Sequence, residues 1–172
     1  MIRQLGTHRG KQIIFGFDRH VLPDLDGYKD TLSRYGAPAP GVVFDELYYL
    51  TSAERTCRRV QHRPDRVGVL ICSTGMGMSI AANKFRGIYA VRCLTVEDAQ
   101  LARTINNANV LCLATRAGFE LNQDIVAAFM TTPYEGRKLD KLEYIATMEL
   151  EADPAPSLPR RGKIVSSPVK AA

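Results

Sequence analysis

Tryptophan is absent from the 172 residues, and histidine (three) and cysteine (four) are scarce. Cys57, Cys72, Cys93 and Cys112 form no C-x-x-C pair, and His8, His20 and His62 have no zinc-ligand spacing. That excludes a disulfide-stapled scaffold and a zinc module, and no metal site is expected. Unpaired thiols fit a reducing cytoplasm. No apolar run approaches the length of a membrane span, and Met1 to Lys11 holds no signal-peptide core. Neither secretion nor a membrane partner is expected. Charge of one sign is also sparse: 23 basic against 18 acidic residues leave +5. More than half of that excess lies in residues 153–172, where Arg160, Arg161, Lys163 and Lys170 oppose only Asp153. Without a concentrated basic face or interleaved aromatics, nucleic acid is not an expected partner.

What is present is an alternation of short apolar runs with helical patterns. Gln12 to Phe17 (QIIFGF) reads as a first strand and Gly41 to Phe44 (GVVF) as a second. Asp24 to Tyr35 has helical spacing and stops at Gly36. A helix over Thr51 to Gln61 opens with Thr51 or Ser52 as its N-cap. Val67 to Cys72 (VGVLIC) is continuously apolar, as expected of a parallel strand buried on both faces. A helix follows over Met78 to Phe85, then a strand over Ile88 to Leu94, and Thr95 caps a helix over Val96 to Ile105. Asn109 to Ala114 is a fifth strand, followed by a helix to about Met130. Glu135 to Leu150 is amphipathic, with Leu139, Leu142, Ile145, Ala146 and Leu150 on one stripe.

This order predicts an α/β fold, a three-layer α/β/α sandwich around a five-stranded parallel, Rossmann-like sheet. The domain is expected over residues 1–151. Residues 152–172 hold four of the nine prolines and read as a Pro-rich basic tail.

In such a sheet, ligands sit outside the carboxyl ends of the strands. Cys72 falls there, just before the turn Ser73-Thr74-Gly75-Met76-Gly77. The glycines let main-chain N–H groups approach a ligand, and the following helix adds partial positive charge. Such a cradle holds an anion and activates a thiol at its rim. The turn is neither a Walker loop nor a G-x-G-x-x-G fingerprint. A tight turn carrying a buried structural cysteine is the alternative reading. Cys93 and Cys112, inside strand-like runs, read as core thiols.

The stretch Gly68-Val-Leu-Ile-Cys-Ser-Thr-Gly-Met-Gly-Met-Ser-Ile-Ala-Ala-Asn-Lys84 resembles the signature of the ribose-5-phosphate isomerase B and galactose-6-phosphate isomerase family. The likeness continues through Gly87-Ile-Tyr-Ala-Val, Asn107-Ala-Asn-Val-Leu and Tyr134-Glu-Gly-Arg137, covering residues 67–145, with a looser match over Ile13 to Asp18. The resemblance implies the same parallel α/β/α fold and an enzyme that interconverts aldose and ketose phosphates through an enediol, without cofactor. It implies that Cys72 is the base, with Thr74 positioning it or a sugar hydroxyl. Main-chain N–H groups of Thr74 to Gly77, including Gly75 and Met76, would meet the enediolate oxygen. By the same analogy Asp18 contacts sugar hydroxyls, Asn106 lies near the substrate, and Arg116 binds phosphate. Arg137 and Lys141 take the family's two C-terminal phosphate positions if one gap is allowed after Gly136. Surface charge is the alternative for Arg116 and Arg137, and helix capping for Asn106 or Asn107. The resemblance also implies a homodimer or homotetramer with sites shared between subunits.

Several positions depart from the family pattern. Arg19 stands where histidine is common, with His20 next, and Ser73 replaces a usual glycine. Before Asn106, the ribose isomerases carry a ring-opening histidine, and this chain has Ile105, which exchanges no protons. Either His20 opens the ring, or the substrate never closes one. A four-carbon sugar with a terminal phosphate has no hydroxyl placed to form a five-membered ring. The expected substrates are therefore erythrulose/erythrose 4-phosphate or, with another ring opener, ribose 5-phosphate/ribulose 5-phosphate. A subunit of a hetero-oligomeric galactose-6-phosphate isomerase is one alternative. A non-catalytic phosphosugar-binding module is another.

Overall fold

The architecture is that of a computed structural model, which describes residues 3–38 and 48–151. Strands β1 (Gln12–Phe17), β2 (Arg66–Cys72), β3 (Ala90–Arg92) and β4 (Val110–Ala114) form one parallel sheet in the order β1-β2-β4-β3. Helices α1 (Leu25–Ser33), α2 (Tyr49–Val60), α3 (Met76–Ala82), α4 (Val96–Thr104), α5 (Phe119–Thr131) and α6 (Leu139–Glu151) complete the order. Four strands stand where five were expected, because Gly41 to Phe44 lies outside the described residues. Residues 152–172 lie outside them too. The described chain just before Gly41 does meet the sheet: Ile13 N–H donates to the Ala37 carbonyl at 2.9 Å, and Pro38 bridges Ile13 in parallel.

Period-two alternation sorts the strands onto two cores. Ile13, Phe17, Val67, Val69, Ile71, Leu111 and Leu113 face one layer, with Ala99 and Ala102 of α4 and Ile125 and Phe129 of α5. Ile14, Leu70, Cys72, Val110 and Cys112 face the other, against Ala53 and Cys57 of α2 and Met78 and Ala82 of α3. β2 is hydrogen-bonded along both edges and buried from Val67 to Cys72, which accounts for its unbroken apolar sequence. Gly16 and Gly68 let α2 lie close on that second face.

Element ends shift where tertiary contacts outbid local signals. α2 begins at Tyr49, so Thr51 and Ser52 are buried inside it and cap nothing. The Ser52 hydroxyl instead donates to the Phe17 carbonyl at 2.7 Å. α1 is preceded by a 3-10 turn over Arg19–Asp24. α3 begins two residues earlier than expected, directly after a left-handed Gly75 (φ +71°). β3 shortens to three residues because the Asn109 side chain takes over its leading bonds, accepting from Tyr89 N–H and donating to the Gly87 carbonyl, both at 2.8 Å. Thr95 caps α4 as expected, in a reciprocal box with Asp98. α6 buries Leu142 but leaves Ile145 and Met148 exposed.

Arg103 of α4 is buried with no carboxylate among its described hydrogen-bond partners. Its guanidinium donates to Asn107 Oδ1 (2.8 Å), the Ala108 carbonyl (2.7 Å) and the Gly6 carbonyl (3.0 Å), and burial pulls its pKa down to about 10. This ties the N-terminal segment to the turn before β4. His8 shares the Ala108 carbonyl: its Nε2 lies 2.8 Å away and must carry the proton, since the carbonyl only accepts.

Two stability measurements follow from these contacts. A methyl group at Gly16 would press on the Thr56 and Leu70 side chains and the Ser52 carbonyl. Gly16→Ala is expected to cost about 1–3 kcal/mol in urea unfolding, as overpacking does. Burial, then the charges of Arg103 and Lys11, holds His8 well below its ordinary 6.5, so the folded ring stays neutral where the unfolded ring takes a proton. Stability is therefore full above about pH 6.5 and falls as the pH drops below it, by up to about 1.4 kcal/mol per pH unit. Urea midpoints across that range should show the slope, and His8→Gln should flatten it.

Candidate active site

β2 delivers Cys72 to the carboxyl edge, in register with Ala114 of β4. The side chain is buried on the α2–α3 face, at the lip of the turn. The Gly75 N–H points back at it, 3.1 Å from Sγ. Only a left-handed residue closes the chain this tightly, and Gly75 is packed on the Leu113 carbonyl, where a Cβ would sit 3.0 Å from the oxygen. Thr74 Oγ1 accepts from Met76 N–H at 3.3 Å, so this hydroxyl braces the turn. Met76 is exposed, and Gly77 lies under the Tyr49 ring.

Two neighbours complete this edge. Asp18 follows β1, is buried, and donates its N–H to the Ile71 carbonyl at 3.2 Å, which sets it one strand from Cys72. Its carboxylate accepts from His20 N–H at 3.0 Å and lies 3.1 Å from His20 Nδ1. Arg116 stands in the turn Thr115–Ala117 after β4 with its side chain exposed, and its N–H donates to the Ser73 carbonyl at 3.4 Å. Asp18, Cys72, Thr74, Gly75, Gly77 and Arg116 thus gather on one rim.

The remaining expected residues do not join them within one chain. α4 and α5 both leave the carboxyl edge and run back along the sheet, so whatever follows them lies at the amino edge. Asn106 is exposed in the turn after α4. The adjacent Asn107 (φ +44°) is the residue that closes that helix, with its N–H 3.2 Å from the Arg103 carbonyl. Arg137 is exposed beyond Tyr134, whose hydroxyl donates to the Arg137 carbonyl at 3.0 Å and whose backbone pairs with Gly6. Lys141 is exposed, 3.4 Å from Asp140. A seven-residue strand separates the two groups by about 20 Å.

The other three cysteines behave as core. Burial pushes the Cys57 and Cys93 thiols up to about 12, and Cys112 well above its ordinary value. The residue that sequence reasoning passed over is Arg92, the last of β3. Its Nε donates to the Thr74 carbonyl at 2.7 Å. The available signal was a charge inside the apolar run Ile88 to Leu94. Among the described residues no helix is long and apolar enough to cross a membrane.

Known proteins resemble this chain in sequence and fold. A sequence model described as Ribose/Galactose Isomerase matches residues 19–145. The ribose-5-phosphate isomerase B of Escherichia coli is 49% identical over 84 residues, 48% of this chain and 56% of that protein. The D-erythrulose-4-phosphate isomerase of Pectobacterium atrosepticum is 41% identical over 146 residues, 80% of this chain and 96% of its own. The crystal structure of ribose-5-phosphate isomerase B from Mycoplasma genitalium with bound ribulose-5-phosphate superposes with a TM-score of 0.70 at 29% identity, covering 84% of this chain and all of that one. The chain belongs to the ribose/galactose isomerase family.

Proposed function

We propose that this chain is an aldose–ketose isomerase of sugar phosphates in which Cys72 moves a proton between adjacent carbons. The observation that carries the reading is the sulfur at the strand end with the Gly75 N–H aimed at it. The Cys72 thiolate takes the proton from C2 of the aldose as the C1 carbonyl oxygen takes up the charge of an enediolate. The C2 hydroxyl proton passes to that C1 oxygen, the same thiol returns its proton to C1, and the C2 oxygen becomes the ketose carbonyl. No electron leaves the substrate, so no redox partner is required. Asp18 holds substrate hydroxyls, and Thr74, whose hydroxyl accepts from Met76 N–H, shapes the turn around the reacting carbons. The reaction belongs in the cytoplasm, where free thiols persist.

The substrate is an open-chain four-carbon sugar phosphate, the pair erythrulose 4-phosphate and erythrose 4-phosphate. Ile105 supports this, because an aliphatic side chain cannot open a ring and this substrate forms none. The similarity to a D-erythrulose-4-phosphate isomerase over nearly its whole length supports it too. Ribose 5-phosphate is the second reading, favoured by the higher identity to a ribose-5-phosphate isomerase B over the shorter stretch and by His20 beside Asp18. Phosphate is held by Arg116 together with Arg137 and Lys141 of a second copy. The placement of those two with Asn106 at the opposite sheet edge supports a site built across a homodimer or homotetramer.

Assays of the pure protein on four-, five- and six-carbon aldose phosphates test this. The expected result is a kcat/KM on erythrose 4-phosphate at least about tenfold above that on ribose 5-phosphate. Equal values would remove the four-carbon assignment, and turnover of galactose 6-phosphate only with a paralogous subunit would replace it. Cys72→Ala should lose on the order of 10²–10⁴-fold in kcat; sugar-phosphate binding without turnover in any form would mark a binding module instead. Shared sites have their own signature. Randomly mixed Cys72→Ala and Arg137→Ala subunits, each inactive alone, should recover about a quarter of wild-type activity, since each mixed dimer assembles one intact site. No recovery would place both residues in one chain's site.

A further inference from the structure

Arg92 ends the edge strand β3 in register with Cys112 and so with Leu70, two residues short of Cys72 and two strands away, and its side chain reaches up to the turn. It is the one charge in the apolar run from Ile88 to Leu94, and no ion pair involves it among the described residues. Asp98, the acid beside it, turns its Oδ2 to the N–H groups of Leu94 and Thr95 and forms no ion pair with Arg92. The Arg92 stem packs on Gly75, with Cγ 3.3 Å from the place a Cβ would take, and Nε donates to the Thr74 carbonyl at 2.7 Å. Nη2 is buried without a hydrogen-bond partner among the described residues. A cation has been carried into the rim of the turn and given one main-chain oxygen to hold.

That oxygen belongs to a particular peptide unit. The Thr74 carbonyl and the Gly75 N–H are the two ends of one amide plane, and the N–H is the group aimed at Cys72 Sγ. A guanidinium on the oxygen end draws electron density through the conjugated amide and makes the N–H a stronger donor, the cooperative effect of chained hydrogen bonds. It also fixes the rotation of a plane that a left-handed glycine would otherwise leave loosely determined. We propose that Arg92 is a positioning residue which locks and polarises the Thr74–Gly75 peptide so that its N–H stabilises negative charge on the Cys72 sulfur. Arg92 acts through the peptide and touches no substrate. The proposal rests on Cys72 being the base.

The test compares Arg92→Met, which keeps the stem and drops the charge, with Arg92→Lys, which keeps the charge without the planar fork. Arg92→Met should lower kcat on the order of tenfold while KM changes by less than about twofold, and Arg92→Lys should recover part of the loss. Ultraviolet thiolate absorbance of the substrate-free protein, measured at one fixed pH against Cys72→Ala in each background, should fall in Arg92→Met. The other three cysteines stay protonated and silent, since burial holds Cys57 and Cys93 at about 12 and pushes Cys112 well above its ordinary value. Unchanged kcat and absorbance would overturn the proposal. So would a rise in KM alone, which would make Arg92 a substrate contact, or Arg92→Lys losing as much as Arg92→Met in a folded protein. A full-activity Cys72→Ala enzyme would instead overturn the base assignment. The absorbance comparison would still decide whether Arg92 acts on the sulfur.

Discussion

The pairing of β2 with a neighbour along each edge constrains everything else in this molecule. A strand hydrogen-bonded on both sides and covered on both faces has no exposed main-chain group and no room for a polar side chain until it ends. Its last residue, Cys72, is therefore the first place where chemistry can begin, and the chain must turn there. The αL conformation of Gly75 makes that turn, and closing it brings a main-chain donor onto the sulfur. Strand, turn and proposed base are one consequence of where β2 stops.

The same topology divides the remaining polar residues. In a parallel α/β sheet each helix carries the chain back, so loops alternate between the two edges. Asp18, Cys72, Thr74 and Arg116 follow strands and share the carboxyl edge. Asn106, Arg137 and Lys141 follow helices and lie at the other. A site that uses both sets needs two molecules facing one another in opposite directions, and a two-fold axis supplies that relation without further specificity in the chain. The buried Arg103, spent on three acceptors at the amino edge, keeps the N-terminal segment and the turn before β4 in place there. It makes that edge as well defined as the carboxyl one.

Local signals and tertiary outcomes agree where the same residues serve both. Thr95 caps α4 because Asp98 lies within one turn and answers it, a contact needing no other part of the chain. Thr51 and Ser52 looked equally suited to cap α2, yet both are swallowed by the helix. Ser52 finds a better acceptor in the Phe17 carbonyl, thirty-five residues away, and nothing near it in sequence announces that. Asn109 likewise takes over the first bonds of β3 through its side chain, shortening a strand whose apolar run is longer.

From the sequence alone came the alternation of strands and helices, the doubly buried centre of the sheet, the cysteine at its carboxyl end, and the family signature around it. These are legible because hydrophobic period, glycine content and turn spacing are properties of neighbouring residues. Only the tertiary structure decided that the expected site residues divide between two sheet edges, that Arg92 reaches across from β3 to the peptide beside Cys72, and that Arg103 is buried. Those facts depend on residues far apart in sequence meeting through strand order and helix direction. A single charged letter in an apolar run carries no mark of the carbonyl it will find.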